Sequence, residues 1–168
     1  MSENLASINK NSLNRYLRPC ESSDEMALRE VYEDAIRTCD KSLYSQEQIE
    51  AWSALAYLPG ILDKPLKQGV GWVSCVNQTI EAFALKYPYN RLALLYCRGR
   101  SSRQGHATSL LHQIEADTLT DKPITLKTEA SLCSYQLLLR HGWTIIAPEE
   151  IQIGGVHFSR YLMEKTLY

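Results

Sequence analysis

The fold of this chain is decided by residues 94–115, which read LLYCRGRSSRQGHATSLLHQIE. The apolar run from Leu94 to Cys97 predicts a strand, and it ends abruptly in a polar loop that holds three arginines, two serines and two glycines. After the loop, apolar side chains recur at the i, i+3, i+4 and i+7 spacing that gives a helix one buried face. These side chains are Ala107, Leu110, Leu111 and Ile114.

The loop between the predicted strand and helix has the features of an anion site. A helix start carries unpaired N–H groups and a partial positive charge, and small residues let an anion come close to them. Arginines add a charge that pairs well with phosphate. The sequence therefore predicts a site for a phosphorylated ligand, although a plain strand-to-helix connection with a solvated basic loop stays open. The dinucleotide spacing Gly-x-Gly-x-x-Gly and the Walker pattern are both absent.

The same loop resembles the acyl-coenzyme A loop of the GNAT superfamily of N-acetyltransferases. That family has Arg or Gln, two further residues, Gly, one residue, and then Gly or Ala. Here Gly105-His106-Ala107 matches the second half of the pattern, and Arg103-Gln104 fills the middle. The first position is Ser102, which departs from the pattern.

Composition and charge indicate an ordinary globular protein. The chain has 168 residues, of which 45% are hydrophobic and 22% charged, and its net charge is -1. We expect a flexible tail over residues 1–13 and a single domain over residues 14–168. The charge predicts neither nucleic-acid nor membrane binding. The five cysteines form no Cys-x-x-Cys and the histidines are scattered, so we expect buried or half-buried thiols, no metal site and a reducing, cytoplasmic location.

The rest of the chain alternates between strand and helix patterns. Their order is β-α-α-β-β-β-α-β-α-β-β, which predicts an α/β protein with a mixed central sheet and a hairpin meander in its middle. This is also the order of the GNAT (acyl-CoA N-acyltransferase) fold. The strands are predicted over residues 15–19, 70–76, 79–85, 92–97, 123–128, 143–147 and 156–163.

Several separated segments resemble a YafP-like bacterial branch of this superfamily. Members typically combine a Thr-Glu-Ala-Ser strand end, a short helix that closes with Arg-His-Gly-aromatic, and a last strand that ends in Met-Glu-Lys. The resemblance implies the GNAT fold over nearly the whole domain. The matching segments are Leu43-Tyr44 with Gln48-Ile49-Glu50-Ala51-Trp52, Thr128-Glu129-Ala130-Ser131, Arg140-His141-Gly142-Trp143 and Tyr161-Leu162-Met163-Glu164-Lys165.

The resemblance implies an acetyl-coenzyme A site along the loop and the strand before it. The pyrophosphate is expected on backbone N–H groups of residues 103–107. The pantetheine arm is expected to pair with residues 95–97 like an added strand, where that strand parts from the strand of Thr125. A backbone N–H near the strand end is expected to polarise the thioester oxygen. The residues implied in cofactor binding are Leu95, Tyr96, Cys97, Arg103, Gln104, Gly105, His106, Ala107, Thr108 and Ser131.

Three side chains are candidates for proton transfer. Many members of the family carry a tyrosine on the last short helix as proton donor to the leaving sulfur, but that place is Leu138 here, and Tyr135 lies three residues earlier on the same helix face. Glu81 in the central hairpin is a base candidate or a carboxylate on a solvated face. Glu129, at a strand end facing the expected cleft, is a candidate for the base or for recognition of the amine.

Several aromatic side chains allow two interpretations. Tyr44 and Trp52 either form an acceptor wall or pack in the core, and Tyr87 and Tyr89 either line the acceptor side or pack a turn. The ring of His106 is expected to point to solvent.

These observations predict a GNAT-fold N-acetyltransferase that moves an acetyl group from acetyl-CoA to a primary amine by direct attack in a ternary complex. The acceptor is a small-molecule or peptide amine that the sequence does not name, and a homodimer is allowed. Ser102 and Leu138 keep open a catalytically weak CoA-binding or interaction module with the same fold. An unrelated phosphate-binding α/β protein is a further alternative.

Overall fold

The structure is a computed structural model, and it describes residues 14–168 of the chain. The flexible tail predicted for residues 1–13 lies outside the described residues. The elements follow the predicted order with one added helix. They are β1 (Arg15–Pro19), α1 (Glu25–Arg37), α2 (Gln46–Ser53), α3 (Asp63–Gln68), β2 (Val70–Val76), β3 (Thr79–Lys86), β4 (Leu92–Cys97), α4 (His106–Ala116), β5 (Ile124–Ala130), α5 (Tyr135–Arg140), β6 (Thr144–Ile153) and β7 (Val156–Leu167).

Two features of this order differ from the prediction. The added helix α3 has only six residues, DKPLKQ, and Pro65 lies in its first turn, where a missing N–H costs no helical hydrogen bond. The last hairpin is longer than predicted, because residues 148–153 pair with β7 instead of forming a loop. β6 is an edge strand and therefore tolerates Pro148.

Two antiparallel sheets form the centre of the fold. The first has the strand order β1-β2-β3-β4, and the second has the order β5-β7-β6. The hairpin between β2 and β3 turns at Asn77 and Gln78, whose φ angles of 56° and 126° are those of a tight turn. The α/β architecture with its hairpin meander confirms the predicted fold class.

The two sheets meet at β4 and β5, which run parallel and separate almost at once. One bridge joins Arg91 to Lys127, and the Lys127 N–H donates to the Asn90 carbonyl at 2.9 Å. The Thr128 hydroxyl donates to the Leu92 carbonyl at 2.8 Å. Within residues 14–168, the residues of β4 after Leu92 form strand pairs with β3 alone. The predicted parting of these strands is confirmed, and it leaves one edge of β4 open.

β3 is buried on both faces because helices cover the first sheet on two sides. Phe83 and Leu85 share a core cluster with α1 and α2, whereas Ala82 and Ala84 share one with α4. This alternation follows from the period of two in a strand. The predicted inner face of α4 is confirmed, with Leu110, Leu111 and Ile114 fully buried.

Candidate active site

A cleft of about 890 Å³ lies where β4 parts from β5. Its walls are the C-terminal part of α1, the end of β4 with the loop that follows, the first turn of α4, and α5. The residues predicted to bind coenzyme all line this cleft except Gln104, and the proton-donor candidate Tyr135 lines it too. The structure therefore brings together residues that the sequence alone had connected only through a family resemblance.

The loop before α4 is shaped by two residues with positive φ. Gly105 directly precedes the helix with φ +87°, a conformation that is costly for residues with a side chain. A Cβ at Gly105 would meet nothing nearer than the Arg15 guanidinium at 3.8 Å, so the backbone conformation, and not a tight contact, requires the glycine. Arg103 has φ 61°. This loop conformation places the first turn of α4 along the cleft. The N–H groups of that turn lack partners within the helix.

The three loop arginines have different roles, which corrects the expectation that all of them serve phosphate. Arg100 forms an ion pair with Glu81, with 2.5 Å between Nη2 and Oε1. The Nε of Arg98 donates to the Ile80 carbonyl at 3.0 Å. Of the three, only Arg103 lines the cleft.

Glu81 is buried, so the interpretation as a carboxylate on a solvated face is wrong. It also lies outside the cleft lining, which disfavours the interpretation as a base. Its carboxylate accepts hydrogen bonds from Arg100 Nε at 3.0 Å and from the Ser101 hydroxyl at 2.6 Å. Burial raises the pKa of Glu81, but the hydrogen bonds from Arg100 and Ser101 outweigh it and the net pKa is lowered. Glu81 is therefore an ionised anchor for the loop that precedes α4.

His106 is buried, with 2% of its surface exposed, so the expectation that its ring points to solvent is wrong. Its Nδ1 lies 2.8 Å from the hydroxyl of Ser74 on β2. Burial lowers the pKa of the imidazole below its usual 6.5, and the ring is neutral at pH 7. His106 fastens the first turn of α4 to the sheet through Nδ1, and its backbone N–H belongs to the unpaired start of the helix.

Arg15 on β1 is a cation beside the loop that the sequence did not reveal. Its Nη1 donates to the Gln104 carbonyl at 2.6 Å, and its Nη2 donates to the Ser109 hydroxyl at 3.1 Å. The side chain of Gln104 donates to the Arg100 carbonyl at 3.2 Å. Local sequence gives no sign of the contacts of Arg15, because Arg15 is 89 residues away from Gln104 along the chain.

A second cavity, called here the inner chamber, encloses about 250 Å³ beside the cleft. The two cavities share the side chains of Trp52, Leu95, Tyr96, Ser131 and Ser134, so they meet along this line. Most of the chamber lining is apolar or aromatic. It includes Tyr32, Tyr44, Trp52, Ile151, Ile153 and Phe158.

Glu129 lines the inner chamber, and its carboxylate is already paired. The Nε of Arg91 donates to Oε2 at 2.9 Å, and Nη2 of the same guanidinium lies 2.9 Å from Oε2. A second arginine of the lining, Arg160, contacts Glu149, which lies outside the lining. Among the described residues of the chamber wall, Glu129 is the one carboxylate, and a guanidinium neutralises it.

Tyr135 and Leu138 lie on the same helix but line different cavities. Tyr135 lines the cleft, packs against Tyr161 with 4.8 Å between ring centroids, and accepts a hydrogen bond from Gln136 at 3.2 Å. Leu138 is buried and lines the inner chamber. The two positions are therefore not interchangeable as sites for a proton donor.

The other aromatic candidates separate into two groups. Tyr44 and Trp52 pack on each other in the core, with 5.2 Å between ring centroids, which confirms the packing interpretation. Both also line the chamber, and the acceptor wall stays a prediction. Of the described residues, Tyr87 and Tyr89 line neither cavity. The Tyr87 hydroxyl donates to Gln68, and Tyr89 is 71% exposed, which favours a place at the turn over the acceptor side for both.

Cys39 and Cys133 line the cleft with their sulfur atoms 3.0 Å apart. Cys39 follows α1 and Cys133 precedes α5, so the two thiols belong to facing walls. A hydrogen bond with Cys39 lowers the pKa of Cys133, and the same contact, together with burial, raises the pKa of Cys39. Cys133 is exposed, which corrects the prediction that every thiol is at least half-buried.

Within residues 14–168, no group of three or more His, Cys, Asp or Glu side chains is arranged to hold a metal ion. In the same part of the chain, no helix has the length and apolar character to cross a membrane.

Comparison with solved structures identifies the fold as that of the GNAT acetyltransferases. No protein-family model matches the sequence, and no curated protein matches it. A GCN5-related N-acetyltransferase from Rhodopseudomonas palustris is similar to this chain with a TM-score of 0.82 and 19% sequence identity, over 92% of this chain and 98% of that chain.

Two other similar structures contain the coenzyme. PaiA N-acetyltransferase from Thermoplasma acidophilum, in complex with coenzyme A, has a TM-score of 0.71 and 17% identity over 92% of this chain and 100% of its own. YncA from Salmonella typhimurium, with its cofactor acetyl-CoA, has a TM-score of 0.62 and 15% identity over 92% of this chain and 95% of its own. At such low identity the likeness establishes the fold.

Proposed function

We propose that the protein is an acetyl-CoA-dependent N-acetyltransferase that acts on a primary amine in a ternary complex. The observation that carries this proposal is the open edge of β4, which runs along a cleft between the first turn of α4 and the inner chamber. The similar folds of PaiA, with coenzyme A, and YncA, with acetyl-CoA, support the choice of donor.

In this proposal the donor lies in the cleft along β4. Its pyrophosphate accepts hydrogen bonds from backbone N–H groups of residues 103–107, and the Arg103 side chain adds charge. The pantetheine amides pair with residues 95–97 as an added strand would. The hydroxyl groups of Thr108 and Ser131, which both line the cleft, flank the donor.

The acceptor reaches the thioester from the inner chamber. Its neutral nitrogen attacks the thioester carbon, and a backbone N–H near Tyr96 or Cys97 stabilises the oxyanion that forms. The C–S bond then breaks, coenzyme A leaves as a thiolate, and the nitrogen releases a proton to a base or to water. The products are an amide and, after the thiolate takes up a proton, free coenzyme A.

Glu129 and Tyr135 are the favoured candidates for proton transfer, because Glu81 lines neither cavity. Glu129 lines the chamber from which the amine arrives, although its pairing with Arg91 competes with proton acceptance. Tyr135 lines the cleft where the thiolate leaves. A thiol has a pKa near ~8.5, so its anion leaves without an acid and the contribution of Tyr135 is modest.

A catalytically weak coenzyme-binding or interaction module with the same fold is the second candidate. Ser102 in the loop and the buried Leu138 on α5 favour it, because both depart from the pattern of active relatives. A place near the YafP-like branch, a cytoplasmic location and a homodimer are further proposals that rest on the sequence alone.

The test of the proposal measures donor binding and turnover separately. Acetyl-CoA should bind in calorimetry and raise the thermal midpoint, because a ligand of the folded state stabilises it by mass action, and adenosine should do so much less. Release of free thiol, followed with a colorimetric reagent, should require an amine. Donor binding without thiol release over a broad amine panel would favour the coenzyme-binding module. No binding at millimolar donor would refute the transferase and the coenzyme-binding module, and would leave the interaction module.

A further inference from the structure

The lining of the inner chamber points to the chemical class of the acceptor. We propose that the chamber takes a monoamine with a compact apolar body of about one ring and no second positive charge. This inference rests on the proposed function, because it assigns the acceptor of the same site. Three properties of the chamber carry it: its position, its apolar walls and its charge.

The position of the chamber fixes the orientation of the acceptor. One wall runs along β4 from Arg91 to Tyr96, a distance of roughly 17 Å at ~3.3 Å per strand residue. The end near Tyr96 and Ser131 is shared with the cleft, so the reacting nitrogen lies there. The body of the acceptor then points toward Arg91. A volume of about 250 Å³ is smaller than a typical drug-sized site and suits one ring with a short chain.

The walls of the chamber are suited to an apolar body. Trp52 packs edge-on against Tyr44 and against Phe158, with 5.2 and 6.2 Å between ring centroids. Ile151 and Ile153 of β6 also line the chamber. Burial of apolar surface stabilises a complex by about 25 cal/mol per Å². An acceptor with an apolar ring therefore gains affinity from these walls, whereas a polyamine chain, which is hydrated, does not.

The charge of the chamber disfavours a second ammonium group. Glu129 is the one carboxylate among the described lining residues, and Arg91 pairs with it. Arg160 also lines the chamber and pairs with Glu149, so each charged side chain of the described lining already has a partner. An ammonium group buried without a free carboxylate is strongly destabilised. Polyamines, aminoglycosides and lysine side chains within basic peptides therefore fit poorly.

The test compares two acceptors that differ by one charge. 2-Phenylethylamine and 4-(2-aminoethyl)benzylamine share the ring and the reacting arm, and the second carries an added ammonium group. We expect kcat/KM to be at least ~100-fold higher for the monoamine, because the diamine must leave a charge desolvated and unpaired. Spermidine and a lysine-containing peptide should react no better than the diamine.

A matched pair of variants connects this preference to the chamber. Ile151→Asp places a carboxylate in the lining and should shift the ratio of the two kcat/KM values at least ~10-fold toward the diamine. Ile146→Asp is the control, because Ile146 lies on the same strand, is 56% exposed and is outside both cavity linings. Ile153→Asp repeats the test at a second lining position if Ile151→Asp fails to fold.

Direct binding separates this inference from the proposed function. The two amines are titrated by calorimetry into protein saturated with coenzyme A, so that no turnover is needed. Preferential binding of 2-phenylethylamine without any thiol release would support the acceptor class while refuting the transferase activity. Equal or tighter binding of the diamine, binding of neither amine to the CoA-loaded protein, or a faster reaction with spermidine would overturn the acceptor class.

Discussion

Replacing Glu81 by Gln removes one charge from a buried carboxylate and keeps its shape. Glu81 is 4% exposed and belongs to no cavity lining, so the change should act on the loop before α4 and leave the chemistry untouched. A catalytic base at this position would give the opposite result. The variant therefore separates an anchoring carboxylate from a reacting one.

The expected loss follows from the partners of the carboxylate. Glu81 accepts from Arg100 at 3.0 and 2.5 Å and from Ser101 at 2.6 Å. A hydrogen bond to a charged group contributes about 1.5–3 kcal/mol, and a neutral one about 0.5–1.5 kcal/mol. The Arg100 side chain is 63% exposed, so solvent screens its share. We expect a loss of roughly 2 kcal/mol in the free energy of unfolding, or about 4–8 °C in Tm.

Urea unfolding of Glu81→Gln and of Glu47→Gln, an exposed control on α2, measures this loss. Because the folded pKa of Glu81 is lowered, its stabilisation is complete above its ordinary value of 4.5 and is lost as the pH falls through the folded pKa. The variant should therefore lose less stability than the wild type as the pH falls below 4.5. A kcat reduced ~100-fold or more with an unchanged unfolding free energy would refute the anchoring role.

Three further predictions concern the cleft. Gly105→Glu should weaken acetyl-CoA binding at least ~10-fold in calorimetry, through backbone strain and repulsion of the pyrophosphate. Gly60→Glu is the control, because Gly60 has the same φ of +87° and open surroundings, and this variant should bind acetyl-CoA normally. Tyr135→Phe should lower kcat less than ~10-fold at every pH, whereas a loss of ~10²–10⁴-fold would make Tyr135 the general acid. Burial lowers the pKa of His106, so the stabilisation from its neutral ring is present above pH 6.5 and is lost as the pH falls. In urea unfolding between pH 7.5 and 5, the unfolding free energy of His106→Gln should therefore change less with pH than that of the wild type. The same change with pH in both proteins would contradict this.

The sequence predicted those parts of the site that depend on local structure. Residues 94–115 contain a strand, a loop and a helix in succession, and each has its own periodicity and turn residues. The buried helix face with Leu110 follows from that succession, whereas the cleft position of residues 95–97 was implied by the family resemblance. Gly105 has the positive φ that only a residue without Cβ adopts at low cost, so its type alone was informative.

Side chains with distant partners could not be placed from the sequence. His106 is buried because its ring reaches Ser74, 32 residues away, and Glu81 is buried because Ser101, 20 residues away, reaches it. A polar residue next to a loop gives no sign of such a partner. The position of Ile151 was missed for another reason, because a proline and two glutamates in the middle of its strand interrupt the apolar alternation.

A covalent bond between the two thiols would join the facing walls of the cleft. The sulfur atoms of Cys39 and Cys133 are 3.0 Å apart, about 1 Å more than the ~2.05 Å of a covalent bond between them. Hydrogen peroxide would join them by removing two hydrogen atoms and forming two molecules of water. Because the sulfur atoms are already in contact, joining them needs little movement of the walls, and a ligand that separates the walls would slow it. Mass spectrometry of the linked peptides, with and without ligand, would measure that difference.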